Sequence, residues 1–159
     1  MFHGGNQMIT RFEQFSSSIA SLYKYIQKIE RDEMIKYGLK GSFAQYLLAI
    51  RRYENGITAS NLCEICDKDK AAISRVIAEM EQKELIYRKA TGTNLYRAML
   101  MLTEKGKSAA DHVNERAKIA VEAAGKGLTE ESRQAFYAAL NLIASNLQAI
   151  SQEGIPESQ

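Results

Sequence analysis

Tryptophan is absent from this 159-residue chain, proline occurs once, and histidine and cysteine occur twice each. These scarcities exclude several chemistries. Cys63-x-x-Cys66 has no second CxxC and no nearby histidine, so it supplies half of a structural zinc set. Both thiols share a helical face with Ala59 and Leu62 and are read as buried packing residues. His112 with Glu115 lacks further ligands, because the only other histidine is His3. No metal and no cofactor are expected. The chain holds no phosphate-cradling glycine loop and no histidine-based nucleophile pair. Ser21-Leu22-Tyr23-Lys24 fits the S-x-x-K pattern, but Leu22 lies on an apolar stripe and no partner motif follows. Catalysis is not expected. No apolar run approaches the roughly 20 residues of a membrane span, and MFHGGNQMITRF lacks the apolar centre of a signal peptide. The expectation is a cytoplasmic protein with no membrane partner. The sole proline, Pro156, falls in a terminal stretch, Gly154 to Gln159, expected to be a loose tail.

Charge of one sign is scarce too: the net is +2, too small to argue for nucleic acid. Its distribution says more. Between Ile65 and Lys107 there are nine basic and six acidic residues, which leaves the rest of the chain slightly acidic. With 45% hydrophobic and 25% charged residues the composition is that of a folded chain, not a disordered one.

What is present concentrates in Thr58 to Arg88, TASNLCEICDKDKAAISRVIAEMEQKELIYR. Thr58 is a helix cap candidate, followed by Ala59, Leu62, Cys63 and Cys66 at i, i+3, i+4 and i+7. After Asp67-Lys68-Asp69 a second helix begins with Asp69 as cap, and Ile73, Val76, Ile77 and Met80 repeat the spacing. The opposite face carries Lys70, Ala71, Ser74, Arg75 and Ala78. Small residues between hydroxyl, ammonium and guanidinium donors suit a DNA major groove. Beyond Lys83 the period becomes alternating. Leu85 to Arg88 and Arg97 to Leu102 are strand-like, and Thr91, Gly92 and Asn94 mark the turn of a hairpin wing.

These residues resemble the MarR family of bacterial transcription regulators. The family pattern D-K-x-x-V-S-R-x-x-x-x-L-E-x-x-G-L-I-x-R is met in register by Asp69-Lys70, Ile73-Ser74-Arg75, Met80-Glu81, Leu85-Ile86 and Arg88. The strand exit L-x-L-T-x-x-G is met by Leu100, Leu102, Thr103 and Gly106. Two positions depart: Asn94-Leu95-Tyr96 replaces the frequent Asp-Arg-Arg run, with Arg97 one place late, and Glu84 stands where the recognition helix usually ends in glycine. The resemblance implies a mainly α fold with a small β wing, a winged helix-turn-helix with N- and C-terminal dimerisation helices. It implies double-stranded DNA as partner and Lys68, Lys70, Ala71, Ser74, Arg75, Arg88, Lys89, Asn94 and Arg97 as contact residues. It also implies a small, often aromatic effector bound between the dimer helices and the reading unit.

The flanking chain patterns as helix. From Thr10 to about Tyr37, Phe12, Phe15, Ile19, Leu22, Ile26 and Ile29 step by three and four. Ser42-x-x-Gln45 has the form of a capping box before Phe43, Tyr46, Leu47 and Ile50. Thr103 is expected to cap a helix to about Ala124, and Thr129 a last one bearing Phe136, Leu140, Ile143, Leu147 and Ile150. Gly125 and Gly127 separate the two. Phe12, Phe15, Ile19 and Leu22 with Phe136, Leu140, Ile143 and Leu147 would be stranded apolar stripes on a lone subunit, so a homodimer is expected. The boundaries drawn from the pattern are 9–37 for an N-terminal dimerisation helix, 38–107 for the winged module and 108–151 for C-terminal dimerisation helices. The functional expectation is a transcriptional repressor acting as a homodimer on a pseudo-palindromic operator. The rival readings are a winged-helix protein-interaction module without a DNA target and a metal- or redox-responsive regulator.

Overall fold

The computed structural model describes residues 5–90, 92 and 98–157, with side chains from residue 10 onward. The elements run α1 (Gly5–Lys36), α2 (Phe43–Arg51), α3 (Ala59–Cys66), α4 (Lys70–Gln82), β1 (Ile86–Lys89), β2 (Met99–Leu102), α5 (Glu104–Ala124) and α6 (Glu130–Glu153). The chain forms two compact units, 1–120 and 121–159, divided inside α5.

The core of the first unit is built around α2, which is apolar on every side and buried from Phe43 to Ile50 apart from half-buried Gln45. Leu62 of α3, Ile73, Ile77 and Met80 of α4, and Ile86 and Leu100 of the wing close over it. Met34 of α1 and Ala109, Ala110 and Val113 of α5 join the same core, so its packing extends beyond the 38–107 segment. The wing is an antiparallel pair with Ile86 opposite Leu102 and Lys89 opposite Met99. Ile57 adds a bridge that sequence periodicity did not reveal: its N–H donates to Leu100 O at 3.2 Å and its carbonyl accepts from Leu100 N at 2.8 Å.

Local chemistry sets the helix starts. Thr58, Asp69 and Thr129 are extended, and their side-chain oxygens accept from the N–H groups of Asn61, Ala72 and Ser132. Thr103 Oγ1 accepts from Gly106 N at 3.0 Å in the same way. Ser42 does not follow the expectation. Its backbone is helical (φ −63°, ψ −16°), a geometry from which its hydroxyl does not cap, so the anticipated capping box is absent. The start of α2 is closed instead by Phe43 N–H to Lys40 O at 2.9 Å and Ala44 N–H to Gly41 O at 3.1 Å. α1 also begins earlier than its apolar spacing indicated, at Gly5 rather than Thr10.

Helix α4 ends at a junction that fixes the wing. Glu84, in the place where glycine was missed, is left-handed (φ 58°), and Leu85 N–H reaches back to Met80 O at 2.9 Å. The exposed carbonyls of this turn are taken up by the start of α5. Thr103 Oγ1 donates to Glu84 O at 2.6 Å, Thr103 N–H to Leu85 O at 3.0 Å, and Lys105 Nζ to Lys83 O at 2.9 Å. Gly106 lies so close that a Cβ there would stand 1.9 Å from Leu85 O.

In the second unit the turn between α5 and α6 uses Gly127 (φ 96°), and Arg133 ties it by donating to Gly125 O at 3.2 Å. No residue of α6 is buried; Phe136, Ile143 and Leu147 are exposed by 47%, 38% and 51%. Residues 154–157 have no regular structure.

The junction yields opposite expectations for two glycine exchanges. Gly106→Ala forces a methyl into a backbone carbonyl and should cost about 3 kcal/mol, the upper end of overpacking. Glu84→Gly relieves a left-handed side chain and should add about 1 kcal/mol. Paired thermal melts check both signs.

Candidate nucleic-acid interface

Asp69 begins the interface by fixing the first turn of α4. Its Oδ1 accepts from Ala72 N at 2.8 Å, and this bond, with help from Ala71 N–H and the Arg75 charge, holds its carboxyl below the usual aspartate range. With Ile73, Ile77 and Met80 turned into the core, Lys70, Ala71, Ser74, Arg75 and Ala78 are all exposed. They form a continuous strip over two turns, cationic at Lys70 and Arg75 and narrow at the two alanines. Lys68, in the turn before α4, and Lys89, at the end of β1, are exposed as well. Among the described residues no carboxylate lies within ion-pair distance of Lys68, Lys70, Arg75 or Lys89, so their charges stay directed at solvent. Asn94 and Arg97 lie outside the described residues.

The acids of α4 are handled differently. Glu79 is paired with Lys40 at 3.0 Å, a contact across 39 residues that no local pattern signals. Glu81 accepts from Arg88 Nε at 2.8 Å and from its Nη2 at 3.5 Å. Arg88, read from the sequence as a DNA contact, is therefore also a strap between β1 and the back half of α4. Both pairs are partly exposed and contribute little to stability, about 0–1 kcal/mol each. Their effect is on the field: they neutralise acids that would repel a polyanion near the strip.

In the first unit α1 and α5 are clasped through Glu33, the one buried charged residue among those described. Its Oε1 accepts from Lys36 Nζ at 2.6 Å, and Oε2 faces Arg116 Nε at 3.4 Å and His112 Nε2 at 3.7 Å. Lys36, then Arg116, hold its carboxyl low. His112 also packs on Tyr37, ring centres 5.1 Å apart. Beside the helix-turn-helix, a cleft of about 490 Å³ opens between α1, α2 and α3, walled by Tyr23, Ile26, Glu30, Leu48, Arg52 and Cys66 among others. Burial raises the Glu30 carboxyl against the pull of Arg52. Cys63 and Cys66 are free and half-buried, packed at the rim of the core, not sealed within it as expected, because both lie in the last turn of a short helix. No three His, Cys, Asp or Glu among the described residues gather to hold a metal ion, and no described helix is long and apolar enough to cross a membrane.

Comparison with known proteins bears on this arrangement. The MarR family model matches residues 37–94, the segment that carries α2, α3, α4 and β1. The match covers the helix-turn-helix and the first wing strand, just over a third of the chain. The chain is similar to a SlyA-like transcription regulator from Listeria monocytogenes (25% identity, TM-score 0.69, covering 90% of this chain and 97% of that one). It is similar to a MarR-family regulator from the same organism in complex with a 26-mer DNA (24%, TM-score 0.69, 90% and 97%). It is also similar to the S. aureus MepR–DNA complex (16%, TM-score 0.66, 84% and 97%). At these identities the likeness to the two DNA complexes is one of fold, a mainly α chain with a two-stranded wing. Among curated proteins none matches the sequence significantly.

Two measurements test the geometry of the MarR-type module. Because the Asp69 carboxyl is depressed in the fold, its capping contribution is complete above 3.8, the ordinary aspartate value, and is lost as pH falls from there through the lowered folded value. Asp69→Asn should keep the cap and remove that part of the acid dependence, as seen in stability measured down a pH series. If Arg88 acts as a strap, exchanging both charges (Glu81→Arg with Arg88→Glu) should restore the melting temperature lost by either single change.

Proposed function

We propose that the chain is a sequence-specific DNA-binding transcriptional regulator, a homodimeric repressor whose two α4 helices occupy successive major grooves of a pseudo-palindromic operator. One observation carries the reading: the exposed strip Lys70, Ala71, Ser74, Arg75, Ala78 on a MarR-family module, its cations unpaired among the described residues. Small side chains permit close approach to base edges, and a guanidinium and an ammonium supply donors for bases and phosphates. Two structures of the same fold were solved with DNA bound, which supports DNA as the partner. The same strip weighs against a protein-interaction module, since protein interfaces are depleted of lysine.

Self-association is supported by the apolar side chains left in solvent. On α1, Phe12, Phe15, Ile19 and Leu22 are 71%, 40%, 40% and 52% exposed, and the α6 stripe is exposed alongside half-buried Leu140. Surfaces of this kind mark an interface. The cleft beside α3 has the size of a small-molecule site and an aromatic wall residue in Tyr23, which supports a small aromatic effector that relieves repression.

Fluorescence anisotropy on DNA from upstream of the chain's own gene, over a salt series, tests the reading face. Arg75→Ala should cost about 1–3 kcal/mol and relax preference at one base pair, as expected of a forked contact to a base. Lys70→Ala should weaken binding to all sequences alike and lower the salt slope by about one, as expected of a phosphate contact. Unchanged affinity in both variants overturns the proposal. Separately, Leu22→Glu or Leu147→Glu should shift sedimentation from dimer to monomer and reduce operator affinity, because a single half-site loses the gain of tethering.

A further inference from the structure

The two cysteines have no part in the reading face, yet their placement is not that of inert core. Cys63 and Cys66 are one helical turn apart on the same side of α3, both free and both half-buried, and Cys66 forms part of the wall of the 490 Å³ cleft. They also occupy the closure of the helix-turn-helix. Cys63 O accepts from Lys68 N at 3.1 Å, and Asp67, the residue after Cys66, is left-handed (φ 49°). Asp69, the cap of α4, follows two residues later.

We propose that Cys63 and Cys66 form a two-thiolate site for a soft monovalent cation of the Cu(I) class, and that filling it alters the α3–α4 turn and with it operator affinity. The ligand count selects the ion. Two sulfurs, with no cluster of three ligating groups among the described residues, fall short of the four donors of structural zinc. A soft d10 cation is satisfied by two thiolates, and thiolate ligands select Cu(I). Binding is balanced as Cu(I) plus two thiols giving a bis-thiolate complex of charge −1 and two released protons. The surroundings suit that charge, because Arg52 and Lys68 line the same cleft as Cys66 and bring two cations to it.

Ferrozine competition under anaerobic, reducing conditions tests the site on the full chain. The parent should withdraw about one Cu(I) per chain from the coloured ferrozine complex, Cys63→Ser and Cys66→Ser should lose that capacity, and Zn(II) should not be retained. Equal withdrawal by the double variant, or none by the parent, overturns the site. Should the variants fail to fold by circular dichroism, X-ray absorption of the copper-loaded parent decides: two sulfur neighbours support the site, and nitrogen or oxygen neighbours alone overturn it. The regulatory half rests on the DNA-binding reading. Operator affinity that changes with Cu(I) in the parent but not in the serine variants supports it, and affinity indifferent to bound Cu(I) overturns it. Copper binding without any DNA binding would count against the DNA-binding reading while leaving the site intact.

Discussion

Three consecutive carbonyls, of Lys83, Glu84 and Leu85, carry the architecture. They are left without helical partners where α4 stops, and the first turn of α5 takes up all three through the Lys105 ammonium and the Thr103 hydroxyl and N–H. Carbonyls beyond a helix end need such partners, that of buried Leu85 most of all. The consequence is mechanical, because α4, the wing and α5 meet at one hydrogen-bonded joint. Gly106 permits the approach, and Glu84 supplies the left-handed turn at some cost in backbone energy. The direction in which Lys70 and Arg75 face follows from that joint together with the Asp69 cap at the other end of the helix.

The field of the module is arranged around the same helix. Basic residues on the strip are unpaired among the described residues, whereas Glu79 and Glu81 are answered by Lys40 and Arg88 from the flanking elements. A net charge of +2 therefore understates what a phosphate backbone would meet, since both acids within α4 are already paired. Arg88 serves this arrangement from within the protein, a use distinct from direct contact with DNA.

Much of the fold was legible because it depends on short-range signals. The caps Thr58, Asp69, Thr103 and Thr129 are each followed by a helical apolar period, and each caps. The alternation around residues 86–102 gave the wing. Where the sequence misled, the deciding interaction was nonlocal or conformational. Ser42 fits a capping box by residue type, but its backbone is helical, and Gly41 before it lies close against Arg31 and Ile35 of α1. Ile57 pairs with Leu100 across the module, and Lys40 with Glu79, with no periodicity to announce either. Cys63 and Cys66 fall on the buried face by spacing, yet the end of a short helix leaves them half open. The reading strip itself was visible in residue type and spacing, and the exposure of each of its residues agrees with that pattern.

The central claim is that two copies of α4 read DNA as a symmetric pair. Selection of binding sites from random duplex DNA by the full chain tests this without knowledge of any target gene. The expected result is an enriched inverted repeat whose half-sites are centred about one helical turn apart, roughly 10 base pairs. A pool with no enriched sequence, or with a single unpaired half-site, would contradict it.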